Sequence, residues 1–154
     1  MPTPTPAIKV EAVRSFGAEV ILCGDDYDAA YAKAREVEAE EGLTFIHPYD
    51  DPAVIAGQGT IAIEILRQHP GKIDAIYVAV GGGGLISGIG ACIKELMPEV
   101  RIIGVEPEDA DAMARSLRAG EIVTLDRVGR FADGVAVRRV GQQTFEIAKE
   151  VIDE

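Results

Sequence analysis

The chain has 154 residues, of which 47% are hydrophobic and 27% are charged, a balance that permits an ordinary folded domain and excludes a disordered or collagen-like chain. Fifteen Lys and Arg against 26 Asp and Glu give a net charge of −11, which repels nucleic-acid phosphates, so no nucleic-acid partner is expected. Apolar runs such as residues 73–80 fall far short of the roughly 20 residues that span a bilayer, so no membrane partner is expected either.

Neither the cysteines nor the opening residues indicate export. Cys23 and Cys92 are expected to be reduced, because no CxxC pair and no histidine at metal-site spacing accompanies them. The first residues contain Pro2, Pro4 and Pro6 in place of the basic patch and apolar stretch of a secretory signal. A cytoplasmic location is therefore expected.

Helical patterns alternate with short β-branched runs from the start of the chain. A first helix is predicted to end before Gly17, and residues 19–23 follow as a predicted strand. A second helix is expected to begin after Asp26 and to end before Gly42. Residues 43–47 are the next predicted strand.

The alternation continues after the turn residues 47–52. Apolar positions beginning with Ile61 mark a helix, and the continuous apolar run of residues 73–80 predicts a strand buried on both faces of a parallel sheet. Further along the chain lie a predicted helix, a strand and two more helices. They are expected at residues 85–97, 101–105, 110–118 and 144–152.

This order of elements predicts an α/β fold, with alternating helices and strands in a three-layer arrangement around a parallel sheet. The turn before residue 53 is the only candidate boundary, so residues 1–52 are assigned to a smaller lobe and residues 53–154 to a larger one. No predicted strand precedes the first helix, and none follows the last. The chain is therefore expected to be a piece of a longer protein.

The most informative segment is a strand that runs directly into four glycines and then into a helix, with the sequence VAVGGGGLISG from residue 78. Residues without a Cβ let successive backbone N–H groups turn toward one point, and the following helix adds the positive end of its dipole. A plain turn needs only one or two glycines, and each extra one costs conformational entropy. A phosphate is the expected occupant of this loop.

Two other phosphate-binding motifs can be compared with this loop. No Gly-Lys-Ser or Gly-Lys-Thr follows it, so a nucleoside-triphosphate P-loop is not expected. A dinucleotide-binding module stays an alternative, because Glu106 ends the next predicted strand where a ribose-binding acid would stand. Ser87 occupies the third glycine position of that motif, so the match is partial.

Four tracts carry a resemblance to a known family: DPAVIAGQGTIAIEIL at residues 51–66, VAVGGGGL at 78–85, GVEP at 104–107 and FADGVAV at 131–137. In order and spacing, the chain resembles the threonine dehydratase (threonine ammonia-lyase) and serine racemase family of fold-type II pyridoxal-phosphate enzymes. The resemblance covers essentially the whole chain. It implies part of a fold-type II enzyme fold, with pyridoxal phosphate as the cofactor of the complete enzyme.

The resemblance also implies the residues that touch the cofactor. The loop and the first amide of its helix would hold the cofactor phosphate, through Gly81, Gly82, Gly83, Gly84 and Leu85. Gly134 would place its backbone near the cofactor ring. The alternative for Gly134 is a plain turn glycine after Asp133.

In some family members a cation is bound at positions that correspond to Glu106 and the carbonyl of Ala110. The second carboxylate of such a site is expected two residues after Ala110, where this chain has Ala112, and Asp111 lies one position out of register. Solvated helix-capping residues are the alternative role for Glu108, Asp109 and Asp111.

Members of the family also use a lysine that bonds to the cofactor aldehyde, in a Ser-Phe-Lys type motif that this sequence lacks. The lysines present have charged neighbours instead of the apolar surroundings that lower a lysine pKa. All five are expected on the surface: Lys9, Lys33, Lys72, Lys94 and Lys149. No catalytic residue is therefore expected in this chain.

The function predicted by the resemblance is that of a fragment of a pyridoxal-phosphate dependent threonine or serine ammonia-lyase. The complete enzyme would take a small amino acid and, by β-elimination, give a 2-oxo acid and ammonia, as in isoleucine biosynthesis. We expect the isolated chain to be inactive, and to self-associate through apolar faces that other parts of the enzyme would cover. The alternatives are an autonomous dinucleotide-binding module and a non-catalytic structural domain.

Overall fold

The computed structural model describes residues 1–129 and 131–154, and its backbone forms two compact units, Met1–Ile46 and His47–Glu154. Within the described residues there are six α-helices, a short 3-10 helix and two parallel strands. The predicted α/β class with a parallel sheet is confirmed. The assignment of residues 1–52 and 53–154 to two lobes of a complete enzyme stays a prediction.

The first unit contains the helices α1 (Ala7–Ser15) and α2 (Tyr27–Glu41). The side chain of Asp26 accepts a hydrogen bond from the N–H of Ala29 and caps α2, as predicted. Gly42 ends α2 with φ +66°, a left-handed conformation that glycine adopts without the strain of a Cβ.

The strands predicted at residues 19–23 and 43–47 are wrong, because neither segment has strand structure. A strand is defined by pairing with a neighbour, and apolar β-branched composition alone does not supply one. The start of the chain lies beside the first of these segments. The N–H of Cys23 donates to the carbonyl of Met1 over 2.9 Å, and the Met1 amino group donates to the carbonyl of Ile21 over 2.7 Å.

The second unit is built around two parallel strands, β1 (Ala75–Ala79) and β2 (Arg101–Val105), joined through α4 (Gly84–Leu96). Ala75 pairs with Arg101, and the register continues to Ala79 and Val105. Both strands therefore end at the same edge, and the glycine loop leaves from that edge.

The other helices of this unit are α3 (Pro52–Gln68), α5 (Ala112–Ala119) and α6 (Gln142–Val151), with the 3-10 turn at Asp133–Val135. Helix α3 begins well before Ile61, the first position that marked it in the sequence. The reason is that Asp51 caps it and Pro52 occupies the first turn, where the missing N–H of proline costs no hydrogen bond.

Helix α4 lies at the centre of the second unit and contacts α3, α6 and both strands. Its Ile86 and Ile93 are fully buried, together with Val100 and Ile102 beside them. The expected burial of residues 73–80 on both faces is wrong. Val78 and Val80 are buried, but the Tyr77 side of the sheet is open, with Tyr77 itself 70% exposed.

No helix in the described part of the chain is long and apolar enough to cross a membrane. The two cysteines, Cys23 and Cys92, are free and half-buried.

Candidate functional site

The glycine loop connects the end of β1 to the start of α4. The N–H of Val80 still pairs with the carbonyl of Val105 over 2.9 Å, and the chain then turns through the glycines into the helix. Gly83 is the residue before α4 and has φ +98°, a conformation that side chains rarely adopt. Gly82, Gly83 and Gly84 are buried.

The loop leaves no room for side chains. A Cβ on Gly82 would lie 2.3 Å from the ring of Tyr49, and one on Gly84 would lie 3.0 Å from the Tyr49 Cα. A Cβ on Gly83 would lie 2.7 Å from the Cε of Met113. The glycines are therefore required by the closeness of the surrounding groups, which a plain surface turn would not impose.

The 3-10 turn that contains Gly134 lies against the same loop. A Cβ on Gly81 would lie 3.0 Å from the Cα of Val135, the residue after Gly134. Gly134 itself is exposed, and no atom lies within 4 Å of the position its Cβ would take. The structure thus brings this turn to the loop and leaves space at Gly134.

The N-terminus of α4 has no side-chain cap. The first intrahelical hydrogen bond runs from the N–H of Ser87 to the carbonyl of Gly83 over 3.0 Å. The N–H groups of Gly84, Leu85 and Ile86 therefore have no acceptor within the helix. Together with the helix dipole, they form the arrangement that binds anions in many phosphate sites.

The other α-helices of the second unit have a carboxylate at their N-termini. Asp51 accepts from the N–H groups of Ala53 and Val54 in α3. Glu106 performs the same role for α5, and Asp50 for α6. Among the described helices of this unit, α4 is thus the one whose first turn faces no carboxylate of the chain.

Glu106 is half-buried and caps α5 with both of its carboxylate oxygens. Oε1 accepts from the N–H of Met113 over 3.0 Å, and Oε2 accepts from that of Ala114 over 2.8 Å. Burial raises the pKa of Glu106 above its ordinary value, although the two backbone hydrogen bonds act in the opposite direction. Helix capping is therefore the role found for Glu106, whereas the sequence predicts it for Glu108, Asp109 and Asp111, of which Asp111 makes no cap hydrogen bond to α5.

The candidate cation ligands lie in the loop that follows β2. The N–H of Ala110, the second candidate, donates to the carbonyl of Pro107. Among the described residues, no group of three His, Cys, Asp or Glu side chains is placed to hold a metal ion.

Four of the five lysines lie beside carboxylates. Lys33 pairs with Glu36, Lys72 with Asp74, Lys94 with Asp153 and Lys149 with Glu146. Hydrogen bonds to these acids raise the pKa values of Lys33 and Lys72 above the ordinary value. A lysine that acts as a base or nucleophile needs the opposite shift.

Sequence reasoning missed three residues that shape the loop: Tyr49, Asp50 and Thr144. Tyr49 covers the loop with its ring, and its hydroxyl donates to the carbonyl of Arg139 over 3.3 Å. The hydroxyl of Thr144 donates to the carbonyl of Gly82 in the loop, and Asp50 accepts from the N–H of Thr144, so that Asp50 acts on the loop through Thr144. Tyr49 and Asp50 look like ordinary turn residues in the sequence, so no local signal identifies them.

Residues 1–154, the whole chain, match the family model described as "Pyridoxal-phosphate dependent enzyme". The chain belongs to the pyridoxal-phosphate dependent enzymes. The family resemblance stated from the sequence is thereby confirmed, and so is the cofactor that it implied for the complete enzyme.

The relatives of this family member include biosynthetic threonine dehydratases. The chain is 56% identical to the L-threonine dehydratase of Burkholderia multivorans over 99% of its own length and 31% of that enzyme. It superposes on the processed form of threonine deaminase isoform 2 from Solanum lycopersicum with a TM-score of 0.92 and 50% identity, covering 99% of this chain and 42% of that one.

Maize serine racemase has the same fold over this region, with a TM-score of 0.92 and 37% identity, covering 99% of this chain and 46% of that one. These likenesses confirm the expected fold-type II architecture. The chain spans under half of the length of each of these three proteins.

Proposed function

We propose that this chain is the part of a threonine or serine ammonia-lyase that holds the phosphate of pyridoxal phosphate. The observation that carries the proposal is the uncapped N-terminus of α4, beside a loop in which the surrounding groups exclude side chains. The high identity to biosynthetic threonine dehydratases supports this reaction class.

The residues of the loop fit a phosphate group. The N–H groups of α4 supply hydrogen-bond donors, and the glycines allow an anion to approach the backbone closely. We assign the phosphate to Gly81, Gly82, Gly83, Gly84 and Leu85, and the edge of the cofactor ring to the turn at Gly134. When bound in the complete enzyme, pyridoxal phosphate supplies the electron sink for β-elimination to a 2-oxo acid and ammonia.

We propose that the chain contributes binding and orientation, with no lysine for the covalent step. The paired carboxylates and the raised pKa values of Lys33 and Lys72 support this division of roles. We expect the purified chain to give no 2-oxobutanoate from threonine. Steady production of 2-oxobutanoate that follows the chain through purification would contradict this assignment.

In the complete enzyme, we assign residues 1–52 to a smaller lobe and residues 53–154 to a larger, cofactor-binding lobe. A cation at Glu106 and the carbonyl of Ala110 stays a prediction of the family resemblance. Because both oxygens of Glu106 already cap α5, such a cation would have to displace or share those hydrogen bonds.

The dinucleotide-binding alternative needs Glu106 for a ribose hydroxyl. That carboxylate accepts two backbone hydrogen bonds instead, which favours pyridoxal phosphate as the ligand. We expect NAD to bind more weakly than pyridoxal phosphate.

Self-association is proposed through the open side of the sheet in the second unit. Tyr77 is 70% exposed and Val105 49% exposed, and both lie on strands of the parallel sheet. Sedimentation velocity across a range of concentrations tests this proposal, and a monomer at every concentration would contradict it. The expected cytoplasmic location and the absence of nucleic-acid partners stay predictions.

The test of the proposed function is a calorimetric titration of the chain with pyridoxal phosphate, pyridoxal and NAD. We expect saturable binding of pyridoxal phosphate, weaker binding of pyridoxal because it lacks the phosphate, and no lysine adduct after borohydride reduction. Equal affinity for pyridoxal and its phosphate would contradict the assigned role of the loop, and binding of NAD alone would favour a dinucleotide-binding module.

A further inference from the structure

The carbonyl of Gly82 in the glycine loop is held by two donors from one short segment. The hydroxyl of Thr144 donates to it over 2.6 Å, and the N–H of Gly141 donates to it over 3.1 Å. Gly82, Gly141 and Thr144 are all buried. The orientation of this carbonyl is therefore set by the start of α6, which follows the loop by about sixty residues.

The carbonyl orientation determines where the next N–H points. The described chain has no cis peptide bonds, and in a planar trans peptide the C=O and the following N–H point in opposite directions. Because the carbonyl of Gly82 is directed at Thr144, the N–H of Gly83 is directed away from Thr144. The hydroxyl of Thr144 thus controls a donor on the other side of the loop.

Asp50 fixes Thr144 in turn. Its Oδ1 accepts from the N–H groups of Gln143 and Thr144 over 2.8 and 3.2 Å, and its Oδ2 accepts from Gln142 over 2.9 Å. The hydroxyl of Ser87 donates to the carbonyl of Thr144 over 3.0 Å. The backbone of Thr144 is thereby held on both its N–H and its C=O side.

The charge of Asp50 has a second effect. A carboxylate at the N-terminus of α6 compensates the positive end of that helix dipole. An anion near the loop therefore finds an uncompensated helix N-terminus at α4 and a compensated one at α6. Asp50 directs the anion to α4 while it holds the residue that orients the loop.

We propose that Thr144 is a positioning residue for the cofactor phosphate, which orients the Gly82–Gly83 peptide so that the Gly83 N–H joins the donors of α4, and that Asp50 holds it in place. This inference rests on the proposed function, since it assigns a role within the same phosphate site. It adds two residues outside the glycine motif to the binding of the anion.

The first test compares Thr144→Val, which removes the hydroxyl at nearly constant shape, with Thr144→Ser, which keeps it. Because one hydrogen bond contributes about 1 kcal/mol net, the Val variant should bind pyridoxal phosphate and inorganic phosphate about five- to tenfold more weakly. The Ser variant should stay within about twofold of the parent, and the affinity for pyridoxal should not change in either variant. Equal phosphate affinities of the Val and Ser variants would overturn the proposal.

Thr60→Val is the matched control, because the hydroxyl of Thr60 donates to the carbonyl of Gly57 within α3, away from the loop. Its phosphate affinity should equal that of the parent chain. Asp50→Asn is a second variant that keeps one oxygen acceptor and loses the charge. Because the loss of a negative charge near the loop by itself favours anion binding, the role of Asp50 is measured at the Gly83 amide, whose NMR resonance should shift in this variant. An unchanged Gly83 amide in Asp50→Asn would overturn the role of Asp50.

The second test needs no ligand. The amide resonance and hydrogen exchange of Gly83, measured by NMR in the free chain, should change in Thr144→Val and be restored in Thr144→Ser. An unchanged Gly83 amide in the Val variant would overturn the positioning role. If the parent chain binds no phosphate compound, the proposed function fails for the isolated chain, whereas the Gly83 amide still decides the inference about Thr144.

Discussion

The N-termini of α4 and α5 lie after neighbouring parallel strands, but only one of the two, that of α5, is capped by a side chain. After β2, Glu106 turns both carboxylate oxygens to the first N–H groups of α5. After β1, four glycines precede α4, and no side chain caps it. The first N–H groups of α5 donate to a carboxylate of the chain, whereas no side chain accepts from the first N–H groups of α4.

This difference supports the proposed phosphate site at the N-terminus of α4. Backbone donors at a helix start need an acceptor, and a carboxylate of the protein is the usual solution. At α4 the close packing of Tyr49 and Met113 leaves no room for a Cβ on Gly82, Gly83 or Gly84, so these positions bring no side chain that could cap the helix. A ligand phosphate can then take the place that Glu106 takes at α5, and the family of pyridoxal-phosphate dependent enzymes supplies such a ligand.

The largest effect should come from filling the loop. In Gly82→Ala the new Cβ would lie 2.3 Å from the Tyr49 ring, so we expect a loss of about 1–3 kcal/mol in the free energy of unfolding and loss of phosphate binding. Urea unfolding and phosphate titration measure the two effects.

Gly57→Ala is the control for this substitution, because nothing lies within 4 Å of its added Cβ in α3. It should raise the free energy of unfolding by about 0.5–1 kcal/mol, since alanine is the better helix former. If Gly82→Ala behaved like Gly57→Ala, the close packing of the loop would be refuted.

A smaller effect on stability is expected from removing the N-terminal cap of α3. Asp51→Ala removes the acceptor for Ala53 and Val54 in α3 and should cost about 0.5–2 kcal/mol of stability. Phosphate affinity should stay unchanged, because α4 keeps its geometry. Asp51→Asn, which retains a good cap, should be close to the parent in thermal unfolding; a fall in phosphate affinity with Asp51→Ala would show that the site extends beyond α4.

The stability of the chain should depend on pH through Glu106, the carboxylate that caps α5. The pKa of Glu106 is raised by burial above its ordinary value of 4.5, so the folded chain binds this proton more tightly than the unfolded chain. The contribution of this bound proton to the free energy of unfolding is fully present below pH 4.5, and it is lost as the pH rises through the raised pKa. The parent should therefore gain stability relative to Glu106→Gln as the pH falls from 7 toward 4.5, and a difference that stays constant or runs the other way would contradict this.

The smallest effect on stability is expected for Asp153, near the end of the described chain. Hydrogen bonds from Lys94 and from the N–H of Ile102 hold the pKa of Asp153 below its ordinary value of 3.8. The stability that this carboxylate contributes is present above pH 3.8 and is lost as the pH falls through the lowered pKa.

Asp153→Asn should therefore cost about 0.2–1 kcal/mol at pH 7, and its difference from the parent should shrink in acid. A difference that grows in acid would contradict the lowered pKa. Because Lys94 lies in the last turn of α4, at the opposite end of that helix from the proposed phosphate site, this variant also serves as a control for phosphate affinity.

The elements with local signals could be predicted from the sequence. Asp26 and Gly42 bound α2 as expected, and β2 occupies the predicted residues 101–105. The glycine loop was visible because four consecutive glycines are costly without a reason. In each case the cause lies within a few residues of the effect.

The features that could not be predicted from the sequence depend on contacts with residues far away along the chain. Residues 19–23 have a strand-like composition, yet pairing depends on neighbours that composition does not specify. Tyr77 lies in an apolar run, but its exposure depends on what covers the sheet. The hydrogen bond from Gln142 to Asp50 joins residues 92 positions apart, a separation at which sequence patterns carry no signal.

Amide NMR during a titration with pyridoxal phosphate measures whether the phosphate binds at the N-terminus of α4. We expect the amides of Gly83, Gly84, Leu85 and Ile86 to shift together and saturate, while the first-turn amides of α5, which Glu106 caps, stay in place. Saturable shifts at α5 with none at α4 would contradict this expectation.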